Sequence, residues 1–195
     1  MKLFTLPDCF TLRFFKSLLT SLPLLLFLIS CSKDNGAPGD DDLKPIIDVT
    51  TIWATSPFGV PMNDYVGKQW ESKPFSIEEM QLFASLDTTN LSGTIKPTEV
   101  TKPRVVYPNP FSNTFSFPFS FNKDFSGNVI LRLVIVDQSL KPVLKNAVRL
   151  SVDSGYAAIA LRPDLAPGNY RLYYTLSAQS SPHFFKSWGN IQYTP

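Results

Sequence analysis

The most regular pattern in this sequence is an alternation of hydrophobic and polar residues in its second half. Residues 114–121 read TFSFPFSF, with phenylalanine at every second position. A period of two predicts a β-strand with one buried face. Residues 129–136 are apolar except for Arg132, which predicts a strand near the middle of a sheet. Because turn residues separate further apolar runs, we predict an antiparallel β-sandwich over residues 105–195, with additional strands at 148–152, 157–161 and 170–176.

Residues 45–104 are less regular and contain one helix signal. Ser76 follows Pro-Phe and precedes Glu79 by three positions, which predicts a capping box and a short helix over residues 76–86. Ile77 and Met80 are expected to share its buried face, which Phe83 and Ala84 could extend. The sequence therefore predicts a mainly β fold in which a smaller irregular region with one short helix precedes the sandwich.

The start of the chain has the pattern of a secretory signal. Residues 18–29 are almost wholly apolar, follow three basic residues and end just before Ser30-Cys31. The run is too short for a comfortable transmembrane helix, which needs about 20 residues. The pattern resembles a bacterial lipobox, which implies cleavage after residue 30 and attachment of diacylglycerol to the thiol of Cys31. The alternatives are a signal anchor that stays uncut and a signal that is cut without lipidation.

Residues 31–44 predict a disordered tether, because they are rich in Gly, Pro and Asp. The Asp run at 40–42 lacks the ligand spacing of an EF-hand, so we expect no calcium site there. Ser32-Lys33-Asp34 resembles the short export signal of Bacteroidota surface lipoproteins. This resemblance implies a lipid anchor in the outer membrane and display at the cell surface; the alternative is an anchor that faces the periplasm.

Charge and cysteine content narrow the range of partners. The 18 Lys and Arg residues nearly balance the 16 Asp and Glu residues. A nucleic-acid-binding protein would need a basic face, so we expect no nucleic-acid partner. Cys9 lies in the predicted signal, which leaves Cys31 without a second thiol for a disulfide bond.

The sequence offers little that predicts catalysis. His183 is the single histidine and falls in a predicted loop, where we expect a surface side chain. A catalytic histidine would need a nucleophile and an orienting acid, and a zinc site would need more nitrogen or sulfur ligands. We therefore predict a protein that is not an enzyme, with no catalytic residues, no metal and no cofactor.

Two further positions are candidate surface sites. Most aromatic side chains are expected to fill cores. Tyr173 lies on the opposite strand face from Leu172 and Tyr174. We therefore expect it to point outward as a binding-surface aromatic, unless residues 45–100 cover it. A sugar-stacking or docking surface could also involve Trp53, Trp70 and Trp188. Asp87-Thr88-Thr89 resembles the short O-glycosylation motif of Bacteroidota exported proteins, which implies modification of Thr88.

Three motifs in the second half carry a family resemblance. Residues 106–111 read VYPNPF, residues 137–143 read DQSLKPV and residues 165–170 read LAPGNY. In this order they resemble the type A C-terminal sorting domain of the type IX secretion system. The resemblance covers residues 105–176 and implies an immunoglobulin-like β-sandwich.

These observations lead to one functional prediction and two alternatives. We predict a non-catalytic, membrane-anchored lipoprotein that acts as an interaction or accessory module of an outer-membrane or cell-surface complex, with an envelope protein as its partner. The first alternative is a type IX secretion-related protein with a sorting-domain-like sandwich. The second is a glycan-binding accessory lipoprotein.

Overall fold

The computed structural model describes residues 47–64, 68–101 and 105–195, and within them seven β-strands form two antiparallel sheets. The three-stranded sheet has the order β1-β2-β5 and the four-stranded sheet the order β4-β3-β6-β7. The strands are β1 (Val100–Thr101), β2 (Phe115–Phe121), β3 (Gly127–Val136), β4 (Pro142–Val152), β5 (Tyr156–Leu161), β6 (Gly168–Ala178) and β7 (Ser181–Tyr193). This confirms the predicted β-sandwich, and the strand order is immunoglobulin-like.

The core between the sheets is built on the alternating phenylalanines of β2. All four of them are buried and belong to one cluster with the inward side chains of β3 and β6. The ring of Phe117 meets that of Tyr174 edge to face, with centroids 4.9 Å apart. The period of two in the sequence therefore selects the buried face as predicted.

The four-stranded sheet is also covered on its outer face. Val134 and Val136 of β3 point away from the sandwich core and pack with Leu82, Phe83 and Tyr173 in a second cluster. The covering layer comes from residues 47–64 and 68–95, which we call the cover. Because the middle strands have apolar side chains on both faces, they need a layer on each side.

The predicted helix is present but shorter. It spans Ile77–Gln81 (α1) and is followed by a 3-10 turn at Ala84–Leu86. The capping box is confirmed, because Ser76 Oγ accepts from the amide of Glu79 and the Glu79 carboxylate accepts from the amide of Ser76. The predicted buried face is right for Phe83, which has no exposed surface, and wrong for Ile77, which is 75% exposed. The helix ends before a full stripe forms, and the residues just after it, Leu82 and Phe83, are buried instead.

One lateral edge of the sandwich is closed by the cover. The amide of Trp70 donates to the carbonyl of Trp188 on β7 (2.6 Å), and Lys73 donates to Lys186 (3.0 Å). The ring of Trp70 then enters the core beside Gly189, where an added Cβ would lie 1.9 Å from the ring. The lack of a side chain at Gly189 is therefore what allows Trp70 to seal this edge.

Three strands differ from the prediction in length or existence. β4 begins at Pro142 rather than near residue 148, and neither β1 nor β7 was predicted. β4 and β7 are the outer strands of the four-stranded sheet. Most residues of β4 are exposed or half-buried, and the buried residues of β7 include Ser187, Gly189 and Asn190, so the hydrophobic alternation of both strands is weak. The predicted signal (1–30), the tether (31–44) and Cys31 lie outside the described residues. No helix in the described part of the chain is long and apolar enough to cross a membrane.

Replacing Phe117 with alanine tests the assignment of the core. Phe117 has no exposed surface, and loss of a buried phenylalanine costs about 3–5 kcal/mol in the free energy of unfolding. The matched control is Phe58→Ala, at a position that is 89% exposed, where we expect a change within about 0.5 kcal/mol. Urea unfolding of both variants measures the difference. Equal effects would show that the buried face is misassigned.

Candidate functional site

A polar cluster joins the cover to the outer face of the four-stranded sheet. His183 Nε2 lies 2.9 Å from Asp87 Oδ1, and His183 Nδ1 lies 3.0 Å from Thr175 Oγ1. Beside them, the Arg132 guanidinium donates to the carbonyl of Leu86 and to Ser177 Oγ. Burial lowers the pKa of His183, with Asp87 acting in the opposite direction. The surface loop predicted for His183 is wrong, because the residue lies in β7 and its side chain is only 14% exposed.

This cluster has the chemical order of an acid, an imidazole and a hydroxyl. Thr175 has no exposed surface, so a substrate has no path to its hydroxyl. The hydrogen bonds instead satisfy polar groups that packing of the cover removes from water. Among the described residues, no group of three His, Cys, Asp or Glu side chains could hold a metal ion. The cluster fastens the cover to the sheet.

A second polar group fastens the start of the cover. Arg171 on β6 donates to Asn190 Oδ1 (3.0 Å) and to the carbonyl of Asp48. Asn190 Nδ2 in turn donates to the carbonyls of Asp48 (3.1 Å) and Thr51 (2.9 Å). The Arg171 guanidinium also stacks on Trp188, 3.8 Å from the ring centroid. The Arg171 guanidinium therefore lies where a ligand would have to stack on that face of the Trp188 ring.

Asn109, within the VYPNPF motif, is fully buried, and its hydrogen bonds connect several segments of the chain. Its side chain donates to the carbonyls of Trp53 (3.0 Å) and Asn190 (3.1 Å) and accepts from the amide of Gln192 (3.0 Å). Its backbone pairs with Thr55. The motif therefore ties the cover, β7 and the entry to β2 together, which gives it a structural role in this chain.

Tyr173 is a correction to the predicted binding surface. It has no exposed surface, and its ring meets that of Phe75 edge to face at 5.4 Å. Burial raises the pKa of its phenol to about 12. Tyr173 lies on the outer face of the sheet and is buried by side chains of the cover, which is the exception stated with the prediction. Trp70 is buried as well.

Thr88 remains a predicted modification site. It is exposed and follows the 3-10 turn that ends at Leu86. A glycan on its hydroxyl would meet open solvent. Its neighbour Asp87, by contrast, is already engaged with His183.

The sandwich is open on the side opposite Trp70. In the described chain, β4 and β5 each pair along one edge, and their other edges flank the same cleft. This edge cleft has a volume of about 190 Å³ and is lined by Leu133, Ile135, Leu144, Asn146, Ala160, Leu161, Arg162 and Pro163. Unpaired edge strands offer backbone donors and acceptors to an added strand. Apolar side chains between the sheets would receive side chains from such a strand.

A polar hollow continues from the edge cleft at one end of the sandwich. It has a volume of about 290 Å³ and is lined by Asn113, Arg162, Pro163, Asp164 and Tyr193. Arg162 and Pro163 belong to both concavities. An amide, a carboxylate, a guanidinium and an aromatic ring are groups that can bind a hydroxylated ligand. Sequence patterns did not reveal either concavity, because the lining residues come from separate strands and loops.

Comparisons with known proteins leave the function open. No protein-family model and no curated protein matches the chain. A glycosyl hydrolase family 2 member from Bacteroides cellulosilyticus DSM 14838 superposes with a TM-score of 0.32 and 17% identity, over 53% of this chain and 15% of that one. BhCBM56 superposes with a TM-score of 0.31 and 11% identity, over 52% of this chain and 99% of that one. Similarities this low do not carry a function to this chain.

The buried state of His183 predicts a pH dependence of stability. Its pKa is lowered in the folded state, whereas in the unfolded chain it titrates near about 6.5. The unfolded state then binds more protons below that pH, so the free energy of unfolding falls as the pH drops from about 7 to about 5. His183→Gln removes the only imidazole, and we expect a flatter profile in urea unfolding across this range. Parallel profiles for both proteins would contradict the assignment.

Proposed function

We propose that this protein is a non-catalytic, lipid-anchored module of the outer membrane or cell surface that binds an extended segment of a partner protein. The anchor is inferred from the lipobox-like pattern that ends at Cys31. The observation that carries the binding role is the open side of the sandwich, where two unpaired strand edges flank an apolar cleft. A peptide in extended conformation would hydrogen bond to an edge and insert alternate side chains into the cleft.

The charges around the cleft favour an acidic partner segment. Residues 141–152 and 156–162 carry four basic side chains and no acidic one: Lys141, Lys145, Arg149 and Arg162. Arg162 lines the cleft, whereas Lys145 and Arg149 donate to Ser85 and to the carbonyl of Ser92 in the cover. Basic side chains on an edge strand also discourage pairing between copies of the same chain. A partner with carboxylates would remove that repulsion and gain in association rate.

The position of the polar groups supports a binding role over a catalytic one. The imidazole of His183 is engaged with the carboxylate of Asp87 and with the hydroxyl of Thr175, which join the cover to the sheet. Thr175 is also buried. The edge cleft is lined by aliphatic side chains together with Asn146, Arg162 and Pro163. This lining supplies no nucleophile with a neighbouring base.

A second candidate function is glycan binding at the polar hollow. Tyr193 offers an aromatic ring, and Asn113, Asp164 and Arg162 offer hydrogen-bonding groups around it. This arrangement suits a short saccharide that stacks on the ring and hydrogen bonds through its hydroxyls. Under this alternative the protein would be a glycan-binding accessory lipoprotein with the same anchor.

Site-specific photo-crosslinking in intact cells tests the primary proposal. A benzophenone amino acid at Asn146, inside the edge cleft, should trap an extended segment of one envelope protein. The same label at Lys123, at the far end of the sandwich, should not. Leu144→Asp places a charge in the cleft and should lower the adduct yield roughly tenfold or more, since burial of a leucine is worth about 1.5–3 kcal/mol.

The matched control for this variant is Val143→Asp, on the neighbouring exposed residue of the same strand. It should leave the adduct unchanged, and circular dichroism checks that both variants are folded. Equal adducts at positions 146 and 123, or insensitivity to a folded Leu144→Asp variant, would contradict peptide binding. Absence of a protein adduct together with Tyr193-dependent retention on polysaccharide would favour the glycan alternative.

A further inference from the structure

A tight hairpin in the cover displays three apolar side chains to solvent. Phe58, Val60 and Met62 are 89%, 60% and 69% exposed. The hairpin closes through backbone hydrogen bonds from Ser56 to Val60 and from Met62 to Ala54, each 2.9 Å long. Five consecutive residues thus present three large apolar groups, which is unusual for a surface that meets only water.

Side-chain hydrogen bonds fix the shape of this hairpin. Ser56 Oγ accepts from the amides of Phe58 (3.3 Å) and Val60 (3.1 Å). Asn63 Oδ1 accepts from the amide of Ala54, and its Nδ2 donates to the carbonyl of Ile52, both at 2.8 Å. A loop that is already ordered loses little conformational entropy on binding.

The hairpin and the entry of the chain lie at the same end of the sandwich. Thr55 pairs with Asn109, which in turn binds Gln192 near the end of β7. Ile47, the first described residue, donates to Gln138 in the turn that follows β3. The strand register puts the end of β3 beside the start of β6, and the start of β6 beside the end of β7. Ile47 therefore lies at the end of the sandwich that carries the hairpin.

The chemistry of the hairpin fits lipid better than a charged protein surface. No charged side chain occurs between Asp48 and Asp64. Residues 32–46, fully extended, span at most about 50 Å, so a bilayer that holds Cys31 stays within reach of this end. Uncharged loops with aromatic and aliphatic side chains can enter the boundary between headgroups and acyl chains at low cost.

We propose that the hairpin of residues 54–63 inserts Phe58, Val60 and Met62 into the bilayer beside the lipid anchor. This inference rests on the proposed anchor at Cys31. Insertion gives the domain a second membrane contact and fixes its orientation, with the Ile47 end toward the lipid.

Environment-sensitive labelling of the mature lipoprotein tests the insertion. Acylation consumes the Cys31 thiol and the predicted cleavage removes Cys9, so Phe58→Cys provides a single free thiol for an NBD label. The control is Lys123→Cys, exposed at the opposite end. In vesicles of phosphatidylethanolamine with a minority of phosphatidylglycerol, NBD at position 58 should emit several-fold more strongly and be quenched by nitroxide-labelled acyl chains. NBD at position 123 should be quenched only by aqueous iodide.

The outcomes separate the insertion from the anchor on which it rests. Mass spectrometry establishes acylation of the same sample: an unacylated Cys31 overturns both proposals. An acylated protein whose label at position 58 is quenched by iodide and not by lipid overturns the insertion alone. Protection that rises with the protein-to-lipid ratio, without lipid quenching, identifies a second copy as the occupant and also overturns it. Val60→Cys provides an independent label if the first variant does not fold.

Discussion

The structure depends on the burial of both faces of the four-stranded sheet. The middle strands β3 and β6 carry apolar side chains toward the sandwich core and also away from it. A sheet with two apolar faces is stable only between two layers, and the second layer here is the cover. The polar groups on that outer face, Arg132, Arg171, Thr175 and Asn190, are buried with it and each has a hydrogen-bond partner. Loss of the cover would expose the apolar residues to water. It would also remove the carbonyl groups to which Arg132, Arg171 and Asn190 donate hydrogen bonds.

This arrangement makes the two lateral sides of the sandwich unequal. On one side the cover pairs with β7 and sends Trp70 into the core beside Gly189. On the other side the cover reaches β4 only through side-chain hydrogen bonds among those described, such as the one from Arg149 to Ser92, and the cleft between β4 and β5 stays open. We propose a binding role for the open side because only there do unpaired strand edges border a cleft among the described residues. The asymmetry also explains why the aromatic residues of the closed side are poor candidates for a ligand surface.

The sequence predicts the fold well where local periodicity is strong. The phenylalanines of β2 and the apolar run of β3 are correctly placed, as is the capping box at Ser76 and Glu79. It predicts less where burial is decided by distant segments. Tyr173 alternates like a surface residue, but Phe75 packs on it from a segment almost a hundred positions earlier. His183 lies in a strand, and its imidazole is largely removed from solvent where it contacts Asp87 and Thr175. The edge cleft has no sequence signature, because its lining is assembled from three separate segments.

Native-state hydrogen exchange tests the central claim, that the cover and the sandwich form one cooperative unit with one open edge. We predict that the amides of Trp70 and Lys73, which donate to carbonyls of β7, exchange at the same slow limiting rate as the interior amides of β3 and β6. Amides on the free edge of β4 should exchange much faster. Exchange of Trp70 and Lys73 at a low free energy, while β3 and β6 stay protected, would contradict the claim and show that the cover opens independently.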